Sequence, residues 1–139
     1  MAAYNKFHPF TEAVAEKVHN LGSDVLKIAL TNTAPIAANA ILTDITQIGA
    51  GNGYVAGGST AAVVTSAQTS GVYKLVLSDV VFTASGGPIG PFRYAVLYNS
   101  TAASGNLIGW WDYGSAITLQ AAETFTVDFD ATNGVLTIT

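Results

Sequence analysis

The chain has 139 residues, of which half are apolar and only 10% are charged, and its formal charge is −4 at pH 7. A chain of this length forms one domain around a single hydrophobic core. Its five cations occur singly, which argues against a direct nucleic-acid partner, and the absence of cysteine excludes disulfides and thiolate chemistry.

The N-terminal segment predicts a helix and no targeting or membrane element. Residues 1–10 lack a basic stretch followed by an apolar one, and no window reaches the ~20 apolar residues of a membrane span. Apolar residues then recur at spacings of three and four, which predicts an amphipathic helix beginning near Pro9 and ending near Leu21, before Gly22. We therefore expect residues 1–22 to form an arm and helix, packed on or extending from a single β domain of residues 23–139.

The rest of the chain has the patterns of short strands. Leu26, Ile28 and Leu30 alternate with other residues as in a half-buried strand, and residues 36–58 show no sustained period, which predicts a long irregular loop. β-branched and aromatic runs separated by turn residues follow. The predicted strands are 25–30, 62–66, 72–84, 92–98, 107–113, 116–119, 124–129 and 135–138.

These patterns predict a mainly β fold: an antiparallel two-sheet sandwich or small barrel of about eight strands with one N-terminal α-helix. The turn residues between Asp130 and Gly134 predict that the last two strands form an antiparallel hairpin.

No combination of residues predicts a catalytic, cofactor or metal site. His8 and His19 lie about 16 Å apart along the predicted helix, too far to share a metal. Asp128, Asp130 and Asn133 superficially resemble a calcium loop, but the glycine stands one position too late and the closing glutamate is absent. The glycine-rich residues 49–58 lack the lysine and following helix of a phosphate-binding loop. We therefore expect no enzyme activity, no cofactor and no metal.

A tryptophan pair marks a second candidate region. Neighbouring side chains of a strand point to opposite faces, so one of Trp110 and Trp111 should point into the core and the other outward. An exposed tryptophan beside Asp112 leaves open a carbohydrate-binding module, and Arg93 is expected to form an ion pair with a nearby acid.

Several strings resemble a family of small virion structural proteins of tailed bacteriophages. They are NLGSDVLKIALTNTAP at 20–35, AGNGY at 50–54, GPFRYAVLYN at 90–99, LIGWWDYG at 107–114 and ETFTVDF at 123–129. The resemblance covers most of the chain and implies a head decoration, or cement, protein. It implies a homotrimer on the outside of the phage head, assembled in the host cytoplasm and bound to the major capsid protein, and carries over no catalytic residue. A tail, collar or other minor virion component is the alternative.

We expect residues 1–9 and the 36–58 loop to reach the shell or a neighbouring subunit, while the β domain forms the outward body. Aromatic side chains dominate the energetics of interfaces. The candidate interface residues are therefore Tyr4, Phe7, Phe10, Tyr54, Trp110 and Trp111.

Overall fold

The computed structural model describes residues 2–139 and shows a mainly β chain with one N-terminal helix, which confirms the predicted fold class. The elements are β1 (Tyr4–Lys6), α1 (His8–Ala15), β2 (Leu26–Thr31), β3 (Ser59–Ala61), β4 (Val63–Thr69), β5 (Val72–Leu77), β6 (Val80–Thr83), β7 (Ile89–Asn99), β8 (Leu107–Leu119), β9 (Thr124–Val127) and β10 (Leu136–Ile138). A short 3-10 helix, Leu42–Asp44, lies in the loop between β2 and β3.

The strands form three antiparallel sheets in a sandwich-like arrangement. The largest has the order β1-β8-β7-β2-β3, with the long strands β7 and β8 near its centre. A three-stranded sheet, β10-β5-β4, and a two-stranded sheet, β6-β9, supply the opposing layer. Residues of all three sheets share one apolar core, which includes Ile28, Leu97, Ile108, Leu75, Phe82 and Val127.

The five-stranded sheet is also covered on its outer face. A second apolar cluster lies there, formed by Phe7, Ala29, Ile45, Val96, Tyr98 and Leu107. Phe7 follows β1, and Ile45 belongs to the irregular loop between β2 and β3. The loop therefore covers the outer face of the sheet, and β7 is buried on both faces from Tyr94 to Asn99.

Hydrogen bonds fix this loop to the sheet. The backbone N–H of Leu30 donates to the Tyr54 hydroxyl, which donates in turn to the Gln47 side chain at 2.8 Å. Burial raises the pKa of Tyr54 to about 12, so its hydroxyl keeps the proton that it donates. Gly58 has a φ of +77°, and a Cβ there would lie 1.7 Å from the Ile28 carbonyl oxygen. Only glycine permits the loop to approach β2 so closely.

The helix is shorter than predicted. It ends at Ala15, and Lys17 adopts a left-handed conformation with a φ of 68°. The chain turns there, and the ring of His19 packs against Phe10 with 5.2 Å between ring centroids. The helical spacing of apolar residues continues to Leu21 because Leu21 also packs in the core, although it lies in a loop. The sequence pattern is therefore longer than the helix.

The strand boundaries also differ in places. The predicted strand 72–84 divides into β5 and β6, which belong to different sheets, whereas 107–113 and 116–119 form the single strand β8. The predicted C-terminal hairpin is wrong, because β9 pairs with β6 and β10 pairs with β5. The turn from Asp130 to Gly134 instead connects two strands that belong to different sheets. Its turn residues would also suit a hairpin, so the local sequence does not distinguish a hairpin from such a connection.

Residues 4–7, which precede α1, belong to the folded body. Tyr4, Asn5 and Lys6 pair with Trp111, Trp110 and Gly109 of β8, and Phe7 is fully buried. The segment expected from the sequence to reach a shell is thus an edge strand of the large sheet.

We predict that Phe7→Ala lowers the free energy of unfolding by about 3–5 kcal/mol, because it removes a ring from the cluster between sheet and loop. Urea denaturation measures the change. Ile36→Ala, at a side chain that is 66% exposed, is the control and should change stability by less than about 0.5 kcal/mol. Equal effects of the two substitutions would contradict the placement of Phe7.

Candidate functional site

Most of the aromatic residues that the sequence suggested for an interface pack in the interior of the protein instead. Phe7, Phe10, Tyr54 and Trp111 are 0%, 4%, 2% and 6% exposed, so their side chains are almost completely buried in this conformation. Their apolar rings fill the interior of a domain whose charged residues are few. Tyr4 and Trp110 are half-buried and remain partly accessible.

The two tryptophans point to opposite faces of β8, as predicted. Trp111 enters the inner core, where its ring centroid lies 5.5 Å from that of Phe129. Trp110 lies on the outer face against Phe7, with 4.5 Å between ring centroids. Because Phe7 covers part of it, Trp110 does not present a free flat ring.

Asp112 is held by the fold. Its two oxygens accept hydrogen bonds from the Arg93 guanidinium at 2.8 and 3.0 Å, and the N–H of Gly114 donates to one of them. The hydrogen bond from Arg93 is the main cause of the lowered pKa of Asp112, and the Gly114 N–H adds to it. Arg93 therefore has the acidic partner expected from the sequence, and both Asp112 oxygens are already engaged.

The other carboxylates with hydrogen bonds mostly organise turns. Asp130 accepts hydrogen bonds from the backbone N–H and the side-chain amide of Asn133 and from the N–H of Thr132, which is a turn-forming role and the reason for its lowered pKa. Asp44 accepts two N–H groups, from Ala40 and Ile41, and its pKa is lowered for that reason. Asp79 accepts the N–H of Phe129, and Glu123 accepts that of Gln120.

His19 belongs to a buried polar cluster. Its Nδ1 lies 3.0 Å from the amide nitrogen of Asn99, which also donates to Asp24, while the Asn99 oxygen accepts the N–H groups of Thr101 and Ala102. These bonds fix the Asn99 amide orientation, so Nδ1 of His19 must accept and Nε2 carries the proton. Nε2 is buried and has no hydrogen-bond partner.

The two histidines do not form a joint site. His8 is exposed at the start of α1, whereas His19 is buried beyond its end. Within residues 2–139, no group of three or more His, Cys, Asp or Glu side chains could hold a metal ion.

A groove of about 660 Å³ lies between α1 and β10. Its lining is largely apolar, with Phe10 and Val14 on the helix side and Leu136 and Ile138 on the strand side. An adjoining depression of about 510 Å³ shares Val14 and Ile138 with it and extends past His19 to Ser66 and Tyr73.

The hairpin of β4 and β5 projects next to this surface. Ala67, Gln68, Thr69 and Val72 are exposed, so both faces of the hairpin tip are open. Ser70 and Gly71 have φ values of 53° and 81°, which is typical of a tight two-residue hairpin turn. The tip of the hairpin, residues 67–72, is therefore a well-formed element whose side chains are exposed.

Sequence reasoning missed the groove because its walls are far apart in the chain. Residues 4–15 and 135–139 are brought together there by the tertiary fold. The Ser70-Gly71 pair between two apolar runs indicates a hairpin. The local sequence pattern does not show that the tip of this hairpin is exposed.

No protein-family model, curated protein or solved structure matches the chain. Within the described residues, none of the helical segments is long and apolar enough to cross a membrane.

The His19 cluster gives a pH prediction. Burial lowers the pKa of His19 below its usual 6.5, although Asp24 acts in the opposite direction. The folded state thus favours neutral His19, so its contribution to stability is complete above about pH 6.5 and is lost as the pH falls towards the folded-state pKa. We expect the urea midpoint to fall between about pH 7.5 and about pH 5.

His19→Asn keeps an acceptor near Nδ1 but cannot take up a proton, so it should reduce this pH dependence. His8→Asn, at an exposed position, is the matched control and should retain the wild-type dependence. The same pH dependence in His19→Asn and in the wild type would contradict the assignment.

Proposed function

We propose that this chain is a non-enzymatic virion structural protein that decorates the outside of a tailed-phage head and stabilises it. The observation that supports the non-enzymatic part of the proposal is the use of the carboxylates. Asp24, Asp44, Asp79, Asp112, Glu123 and Asp130 each accept hydrogen bonds that hold the fold together. Both oxygens of Asp112 and of Asp130 are engaged in such bonds, which favours a structural over a catalytic role for these two groups.

The resemblance to phage virion proteins and the nature of the surface support the same proposal. A surface with few charges provides little repulsion between copies, which suits a protein that ends up packed against neighbours. The proposed partners are the major capsid protein and copies of the chain itself, in a homotrimer on the virion.

The loop between β2 and β3 is the better shell contact of the two segments suggested by the sequence. Ile36 and Val55 in this loop are 66% and 69% exposed, although their neighbour Tyr54 is buried. The N-terminal segment, by contrast, contributes β1 and Phe7 to the body. Removing residues 1–9 would therefore damage the fold and could not test a shell contact.

The decisive experiment adds the purified protein to phage heads that lack it. We expect binding at a fixed number of copies per head and greater resistance of the heads to heat or low salt. Binding to isolated tails instead would favour the tail or collar alternative and contradict the proposal.

Surface variants test which face binds. We predict that Ile36→Asp and Val55→Asp weaken head binding about tenfold or more, because each places a charge in an apolar contact. Val81→Asp is the matched control, since Val81 is 54% exposed on β6 in the opposing layer. Binding affinity and urea midpoints are measured for all three. Loss of binding in Val81→Asp alone would place the contact on the other layer.

The carbohydrate-binding alternative has less support from the geometry. Trp110 is partly covered by Phe7, and Asp112 is bound to Arg93 and Gly114.

A further inference from the structure

Residues 16–24 lie between α1 and β2, and a small polar cluster attaches them to the end of β7. Asn99, the last residue of β7, donates from its side-chain nitrogen both to His19 Nδ1 at 3.0 Å and to Asp24 Oδ2 at 2.6 Å. The same Asp24 oxygen accepts the N–H of Asn20, which closes a turn within the segment. Both titratable side chains of this attachment therefore share one amide group.

A different set of bonds begins at Val25. Its N–H donates to the Thr101 hydroxyl, and its carbonyl oxygen accepts the N–H and the hydroxyl of Ser100. These bonds involve only backbone groups and hydroxyls, so a change of charge at His19 does not remove them. Residues 16–24 can thus detach from β7 while the start of β2 keeps its place.

The surroundings of His19 fit only the neutral ring. Because the Asn99 oxygen accepts the N–H groups of Thr101 and Ala102, its nitrogen must face Nδ1. A proton on Nδ1 would point at the hydrogens of that nitrogen, and Nε2 is buried without a partner among the described residues. A protonated ring would therefore have no acceptor at either nitrogen, which is unfavourable in a buried place.

Asp24 offers the protonated ring an acceptor nearby. The groups around the ring and along the adjoining depression are Phe10 and Val14 of α1, Asn99 of β7, Thr101, Ser66 of β4, Tyr73 of β5, and the charged Lys17 and Asp24. Asp24 is the one carboxylate in this set, and its Oδ1 accepts no hydrogen bond from the described residues. Burial lowers the pKa of His19, and Asp24 opposes that effect.

We propose that His19 is a pH-dependent switch: on protonation its ring exchanges the Asn99 hydrogen bond for an ion pair with Asp24, and residues 16–24 detach from β7 while the sheets stay folded. The proton comes from solvent and binds Nδ1, which then donates to the Asp24 carboxylate in place of Asn99. The depression of about 510 Å³ gives the ring room to turn. This inference concerns the isolated chain and does not depend on the decoration role.

Amide hydrogen exchange of the wild-type chain tests whether the opening is local. The N–H groups of Val18, Ser23 and Asp24 donate to backbone oxygens within residues 13–20. We expect their protection factors to fall about tenfold or more between about pH 7.5 and about pH 5. Because a local opening exposes little surface, low urea should leave these factors unchanged but reduce those of Val96 and Leu97 in β7. One urea dependence for both sets would indicate global unfolding and overturn the proposal.

Two variants test the groups involved. His19→Asn cannot take up a proton, so protection of residues 16–24 should no longer depend on pH in this range; a fall equal to that of the wild type would overturn the proposal.

Asp24→Asn keeps an oxygen that can accept from Asn20 and Asn99 but removes the charge, so the opening should move to lower pH by about one unit. Asp128→Asn makes the same change at an exposed position and should retain the wild-type transition. An unshifted transition in Asp24→Asn would contradict the ion pair.

Nuclear magnetic resonance of the wild type gives a readout that needs no variant. The ring nitrogen shifts should show the Nε2–H tautomer at about pH 7.5, and the side-chain NH₂ signals of Asn99 should move as His19 titrates. The opposite tautomer, or Asn99 signals that do not change during the titration, would contradict the exchange of partners.

Discussion

The burial of both faces of the five-stranded sheet is the constraint on which the rest of the structure depends. β7 is apolar along most of its length, and from Tyr94 to Asn99 every residue is buried. A strand of this kind cannot leave one face to water. The second layer of strands covers the inner face, and Phe7 with the loop between β2 and β3 covers the outer one.

This constraint assigns the aromatic residues to packing. A chain with 10% charged residues and no disulfide depends on apolar burial for its stability. Phe7, Tyr54 and Trp111 therefore face inward, even though the same residue types are common at interfaces. Regions left for partners are those that the packing does not use: the exposed part of the loop, the hairpin of β4 and β5, and the groove beside β10.

The small sheets explain why such regions exist. The opposing layer is divided between β10-β5-β4 and β6-β9, and neither part closes on itself. Its edges remain available, and one of them lies in a groove that α1 helps to form. For a protein proposed to act through its surface, free edges and a sparsely charged exterior are more relevant than any single side chain.

The sequence by itself determined the fold class, the helix start, most strand positions and the opposite orientation of Trp110 and Trp111, because these follow from local periodicity and turn residues. It also indicated the pairing of Arg93 with an acid. Only the tertiary structure decided that β9 and β10 separate, that Phe7 and Tyr54 are buried, and that α1 and β10 enclose a groove. Such features depend on which distant segments meet, and a pattern read along one stretch of chain contains no information about its partner.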